Sequence, residues 1–191
     1  MKILPIKLLV LSALVILLAA CQNSTIDREN KNLSKTLATG NFMQISSAVF
    51  SHQSTLPAKY TCDGDNISPP LSFSDLPTDA VSLVLIMDDP DALKPAGRVW
   101  DHWLVWNIPP SVSQIAEGQN PSGLIGFNTE GRQAYGGPCP PDGEHRYFFK
   151  LYALDAWLDL PLSATKGEIE KAMAGHILDQ AELLGLYNRN K

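Results

Sequence analysis

The chain has 191 residues, 45% of them apolar, with 15 Lys and Arg against 20 Asp and Glu and a formal charge of −5. It carries no basic field and no Lys/Arg cluster interleaved with aromatic residues, which excludes the electrostatic footprint of a nucleic-acid binder. The apolar content argues against disorder, no internal repeat is visible, and the chain beyond residue 20 is long enough for one domain that buries about 70% of its unfolded surface.

At the amino terminus Lys2 and Lys7 flank a start, Leu8 to Leu18 form an apolar run, and Leu18-Ala19-Ala20-Cys21 closes it with small residues before a cysteine. The run is too short for a comfortable membrane span, and its layout is that of a targeting segment. It resembles a bacterial lipoprotein signal. That resemblance implies a signal peptide over 1–20 and lipidation of Cys21, with the domain held to the membrane by acyl chains worth about 0.8 kcal/mol per buried methylene. It implies the periplasmic side of the cell envelope, and Gln22 in place of Asp, by the general sorting pattern of such lipoproteins, points to the outer membrane. An ordinary secretory peptide cleaved nearby is the alternative. Residues 22 to 42 are rich in Gln, Asn, Ser, Thr and Lys. They bury too little apolar surface to offset ordering entropy, so 21–42 is expected to be a tether and 43–191 the folded domain.

From there on Pro57, Pro69-Pro70, Pro77, Pro109-Pro110 and Pro121 cut the chain into short pieces, with no βαβ alternation before residue 160. Val81, Leu83, Leu85 and Met87 read as a strand, Asp88 to Asp91 as a turn, and His102 to Ile108 as a second strand rich in Trp and Val. The stretch Gly136-Gly137-Pro138-Cys139-Pro140-Pro141-Asp142-Gly143 follows. Its three prolines fix φ and remove donors while its glycines permit sharp turns, so the loop is expected to be stiff and to deliver His145, Arg146 and Tyr147 to the mouth of the next strand. That strand is read from the alternation of Tyr147, Phe149, Leu151 and Ala153 with Phe148, Lys150, Tyr152 and Leu154. Near the end, Thr165 and Glu168 have capping-box spacing, and Ile169, Met173, Ile177, Ala181 and Leu184 recur on one face, which predicts a helix ended by Gly185. His176 is expected beside that face as a packed helix histidine bonded to backbone. The fold class is mainly β, a two-sheet antiparallel-rich sandwich with a C-terminal helical region.

Apart from Cys21, only Cys62 and Cys139 remain. In an oxidising compartment they are expected to pair, adding roughly 4 kcal/mol in the chain-entropy model. Two unpaired, buried, inert thiols are the open alternative. Their wide separation lacks the close ligand pairs of a structural zinc site, and no cofactor is implied.

Several ordered motifs then carry a specific resemblance. Asp89-Pro90-Asp91-Ala92, Asp101-His102-Trp103, Gly137 to Tyr147, Cys62 to Leu71, Gly175-His176-Ile177-Leu178 and Ala181 to Gly185 together resemble the phosphatidylethanolamine-binding protein family, in its bacterial Raf-kinase-inhibitor-like branch, from about Met43 to Arg189. The resemblance implies a pocket for phosphate, acetate or a phosphorylated head group, lined by Asp89, Asp91, His102, Pro141, His145 and Tyr147. One departure is Leu93, where the family's first motif often continues with Pro, which affects the shape of that rim.

The residue types suit an anion. Imidazoles of His102 and His145, the Tyr147 phenol and backbone N–H groups all donate to an oxyanion. Asp89 and Asp91 would repel one, so one of them is expected to accept from His102 and keep it protonated, or to suit an ammonium. Arg146 would face away from the strand's inner side and form a structural ion pair. Trp100, Trp103, Trp106 and Trp157 are expected in the core or the pocket floor. The leading expectation is therefore non-catalytic binding, with regulation of an envelope partner. An inhibitor or interaction module for a periplasmic enzyme is the alternative. A hydrolase using His102, His145 and Asp89 is the third reading, and the chain has no Gly-x-Ser-x-Gly elbow, His-Glu-x-x-His or P-loop to support it.

Overall fold

The computed structural model describes residues 42–189. The expected signal peptide, the lipidated Cys21 and the tether up to residue 41 lie outside the described residues.

The described residues form two sheets. In the smaller, β1 (Gln44–Ser46) and β6 (Gln114–Ile115) flank β3 (Leu71–Ser74). In the larger, the order is β2 (Ser54–Thr55), β9 (Ile177–Asn188), β8 (Glu144–Leu154), β4 (Ser82–Asp89), β5 (Trp100–Ile108) and β7 (Leu124–Ile125). All pairings are antiparallel except β2 with β9. The fold is thus the β-rich two-sheet sandwich anticipated.

Strand β4 is the most deeply buried part of the larger sheet. All eight of its residues are buried, because both of its faces are covered. Leu83, Leu85 and Met87 join Ile45, Leu71 and Phe73 in the core between the sheets. Val84 and Ile86 face the opposite way, into a second cluster with Leu104, Trp106, Ile169 and Met173. Period-2 alternation therefore separates two cores rather than a core and solvent. The strand also runs on to Asp89, so the sequence-predicted turn begins two residues later than expected. This matters because Asp88 and Asp89 then leave the sheet's end on opposite faces. Asp88 accepts Lys150 at 2.9 Å and Lys166 at 2.8 Å, while Asp89 enters the candidate site.

The C-terminal helix needs correction. The capping box is present, with Thr165 Oγ1 accepting from the Glu168 N–H, and α2 runs over Lys166–Met173. It stops there, and 177–188 form a strand. Gly175 takes φ +85°, a conformation that ends helices readily. Beyond it the helix-favouring run Asp179-Gln180-Ala181-Glu182-Leu183-Leu184 pairs along β8 from Leu154↔Ile177 to Glu144↔Asn188. Long antiparallel pairing and burial of Leu183 and Leu184 override local propensity. His176 accordingly is not a helix residue; its Nδ1 meets the Asp155 carboxylate at 2.7 Å at an exposed position. Trp157 is also misassigned by sequence, being 54% exposed, whereas Trp103 and Trp106 are fully buried.

Candidate ligand-binding site

Antiparallel pairing places the end of β4 next to the start of β5 and of β8, since Asp89 pairs with Trp100 and Asp88 with Phe148. The loop 136–143 and the short helix α1 (Leu93–Ala96) close over that sheet end. Between them lies a cavity of about 230 Å³, whose polar lining includes Asp89, His102, Glu130 and His145, with Trp100 and Pro141 among its walls.

The stiff loop is held by more than its prolines. The disulfide Cys62–Cys139 joins it to the 58–66 segment, with Cα atoms 5.4 Å apart. Beside it the Cys62 N–H donates to the Pro138 carbonyl at 3.1 Å, the Gly137 N–H to Asn66 Oδ1 at 2.7 Å, and the Tyr135 hydroxyl to the Tyr60 carbonyl at 2.8 Å. Only Gly143 of the loop glycines has positive φ. Gly137 is required for space instead: a Cβ there would lie 2.4 Å from Asn66 Oδ1 and 2.7 Å from the Tyr60 carbonyl oxygen. Gly137→Ala is therefore expected to destabilise the fold by about 1–3 kcal/mol and to widen the gap between the loop and the 58–66 segment. A melt within a degree of wild type would show that the two segments yield freely.

Asp89 is an organising acceptor. Its Oδ1 takes the N–H groups of Asp91 at 2.9 Å and Ala92 at 3.1 Å, and its Oδ2 takes His145 Nδ1 at 2.7 Å. Both side chains of the pair are about 5% exposed or less. Burial pulls the His145 pKa down, but the hydrogen bonds and charges of Asp89 and Asp142 outweigh it and hold the imidazole above its ordinary value. The far nitrogen, Nε2, has only a long 3.4 Å contact to Asp142, whose side chain is exposed. His145 thus presents a charge-assisted donor at the cavity with a displaceable partner.

His102 differs from the sequence expectation. Its Nδ1 lies 2.7 Å from the Gly136 carbonyl, which only accepts, so Nδ1 carries the hydrogen. No aspartate orients it. Burial lowers its pKa, only partly offset by the Gly136 carbonyl and the carboxylates of Asp89, Glu130 and Asp101. The lowered pKa favours the neutral imidazole over the protonated one expected, and its Nε2 is buried with no hydrogen-bond partner among the described residues.

The other expected lining residues divide. Pro141 lies on the cavity. The Tyr147 ring stands edge-on to His102 at 5.3 Å and stacks beside His145 at 6.4 Å; its hydroxyl is buried, and burial with the nearby Asp89 charge raises its pKa strongly. Tyr147 supports the two imidazoles from behind rather than bordering the cavity. Asp91 is turned outward, where both of its oxygens accept from the Arg146 guanidinium at 2.9 and 2.8 Å. That guanidinium holds the Asp91 carboxyl below its usual range. The structural ion pair expected for Arg146 is thus made with Asp91, which the cavity does not include.

Sequence reasoning missed Glu130, Pro95 and Ala96. Glu130 reaches the cavity from a loop with no periodic signal and pairs with Arg132. Pro95 and Ala96 form the rim of α1 where the motif departs at Leu93, a residue that is itself exposed. Arg98 lies over the Trp100 ring at 5.6 Å, a cation beside a cavity wall.

Residues 46–188 match the family model for phosphatidylethanolamine-binding protein. A UPF0098 protein of Methanothermobacter thermautotrophicus is 48% identical over 153 residues, covering 77% of this chain and 99% of its own. One from Chlamydia trachomatis is 48% identical over 151 residues, covering 78% and 100%. Among solved structures, a putative phosphatidylethanolamine-binding protein homologue from Chlamydia trachomatis is similar with a TM-score of 0.75 at 47% identity over 78% of this chain and 99% of that one. YbcL of E. coli, described as a member of the mammalian family, gives 0.72 at 28% identity over 78% and 100%.

Proposed function

The chain belongs to the phosphatidylethanolamine-binding protein family, whose members are ligand-binding proteins, and on that premise we propose that its cavity holds a small anion or a phosphorylated head group without transforming it. The observation that carries this reading is the buried His145–Asp89 pair, which aims a charge-assisted donor at a cavity of head-group size. Asp89 does not oppose an anion there, because three donors occupy its carboxylate. Asp91 is neutralised by Arg146 outside the cavity.

Catalysis has less support. Ser68, the serine beside the Pro69-Pro70 turn, donates its hydroxyl to the Gln119 carbonyl at 3.2 Å, and Cys139 is in the disulfide, so neither is an available nucleophile. Among the described residues no three His, Cys, Asp or Glu side chains group as a metal site. The protein in this reading is carried on the periplasmic side of the envelope through lipidated Cys21, in the outer membrane, and ligand occupancy regulates an envelope partner. The disulfide is in keeping with an oxidising compartment.

The test is a thermal-shift titration of the full chain with phosphate, phosphoethanolamine and acetate beside His145→Ala. Wild type is expected to melt higher with ligand, by the binding linkage, and the variant to respond weakly or not at all. A wild type indifferent to all three would remove the reading and leave a partner-binding role as the better account.

A further inference from the structure

The polar lining of the cavity mixes acceptors with donors. His145 supplies a donor, and in the run Pro138 to Pro141 Cys139 alone has a backbone N–H. Against these stand two acceptors: the Glu130 carboxylate, one oxygen of which is paired with Arg132, and the lone pair of His102 Nε2, which has no partner among the described residues. His102 is 4% exposed. Its tautomer is fixed from behind by the Gly136 carbonyl, so Nε2 has no hydrogen to give unless the ring becomes a buried cation. A buried acceptor with no donor is costly. A fully deprotonated anion entering this cavity would face that lone pair and a carboxylate, and would leave the cost in place.

Resting on the anion-binding reading above, we propose that His102 Nε2 accepts a hydrogen bond from the ligand itself, so that the cavity takes a tetrahedral oxyanion carrying an acidic hydrogen, a phosphate monoester in its monoanionic form, and rejects sulfate. In this arrangement the P–OH donates to His102 Nε2 while the charged oxygens accept from His145 Nε2–H, displacing the long contact to Asp142. The two imidazoles have complementary roles because their inner nitrogens face opposite partners, a carbonyl behind His102 and a carboxylate behind His145. The groups that bear on this protonation pattern are Asp89, Glu130, Asp101 and Tyr147 around His102, and Asp89, Asp91, Asp142 and Tyr147 around His145.

Sulfate and phosphate share size and geometry and differ in that hydrogen. Sites built to hydrogen-bond a ligand hydroxyl reject the analogue lacking it strongly. Calorimetric titration of the full chain with methyl phosphate, dimethyl phosphate, sulfate and phosphoethanolamine separates the cases. At about pH 6, where the phosphate monoester is half protonated, methyl phosphate is expected to bind roughly a hundredfold more tightly than sulfate or dimethyl phosphate. At about pH 8 its binding is expected to take up about one proton per site, read from buffers of different ionisation enthalpy.

His102→Asn keeps an amide donor for the Gly136 carbonyl and removes the outer lone pair; it should bring methyl phosphate down to the level of sulfate. His102→Gln places an amide near the Nε2 position and should raise sulfate affinity. Sulfate bound by wild type within about threefold of methyl phosphate would overturn the assignment of the hydrogen while leaving anion binding intact. Binding of phosphoethanolamine alone would overturn it too, by making the ammonium the donor. No binding of any probe would remove the anion reading together with this one. If both variants fail to fold, the wild-type ratio and proton uptake still decide.

Discussion

Reduction of the Cys62–Cys139 disulfide, or its replacement by Cys62→Ser/Cys139→Ser, is expected to lower the melting temperature by roughly 10–15 °C. The bridge spans a sequence separation of 77. Removing that constraint from the unfolded chain costs about 4.5 kcal/mol in the chain-entropy model, and a domain of this size loses a few degrees per kcal/mol. The cavity itself should suffer less. The loop around Cys139 keeps its hydrogen bonds to Cys62 N–H, Asn66 and Tyr60 in the folded state. Ligand affinity measured well below the melting temperature should therefore fall by less than about tenfold, since the loss acts mainly through the unfolded ensemble. Melting curves in the presence and absence of a dithiol, with affinity measured at 25 °C, separate the two effects. A double serine variant that melts within about 2 °C of wild type would show that the cross-link contributes nothing; a collapse of affinity at unchanged stability would make it a local clamp instead.

What the sequence disclosed follows from which signals are local. The strand at 144–154 was legible from period-2 alternation, and those at 82–89 and 100–108 from short apolar runs rich in β-branched and aromatic residues and bounded by turn signals. The C-terminal strand was not, because Asp179 to Leu184 is a helix-favouring run and its partner, β8, is distant in sequence; only pairing decides it. In the site, Asp89, His102, Pro141 and His145 were named from motif and residue type, and the structure brings them to one cavity. Which aspartate faces which histidine was not accessible in the same way. Asp89 and Asp91 sit two apart in one motif, yet one turns in to His145 and the other out to Arg146. The state of His102 depends on the Gly136 carbonyl 34 positions away, a contact no composition or spacing reports. Glu130 and the rim at Pro95 and Ala96 lie in segments without periodicity, where sequence gives no reason to single out a residue.

The Asp89–His145 pair yields the other large effect. Asp89→Ala deprives a buried imidazole of its counter-charge and two backbone N–H groups of their acceptor, and is expected to cost about 3–5 kcal/mol, because the partner remains buried and uncompensated. Asp89→Asn separates the charge from the hydrogen bonds. Its carbonyl oxygen still accepts from Asp91 and Ala92, while its amide N–H faces His145 Nδ1 and forces the neutral tautomer with the hydrogen on Nε2. The pH dependence then identifies what is lost. In wild type the folded-state pKa of His145 is raised, so its stabilisation is fully present below the unfolded value of about 6.5 and disappears as pH rises through the folded value. His102 works with the opposite sign. Its folded pKa is lowered, so its contribution is present above about 6.5 and is lost as pH falls through the folded value. The wild-type profile mixes the two. The difference between wild type and Asp89→Asn reports mainly His145, because His102 keeps its carbonyl partner in both, and the lost Asp89 charge lowers the His102 pKa further, which adds to the difference at low pH in the same direction. That difference, measured by urea denaturation at about pH 6 and about pH 8.5, should be large at the lower pH and shrink at the higher. A pH-independent difference would mean that the carboxylate holds the loop through its backbone hydrogen bonds alone and that His145 carries no charge for a ligand to meet.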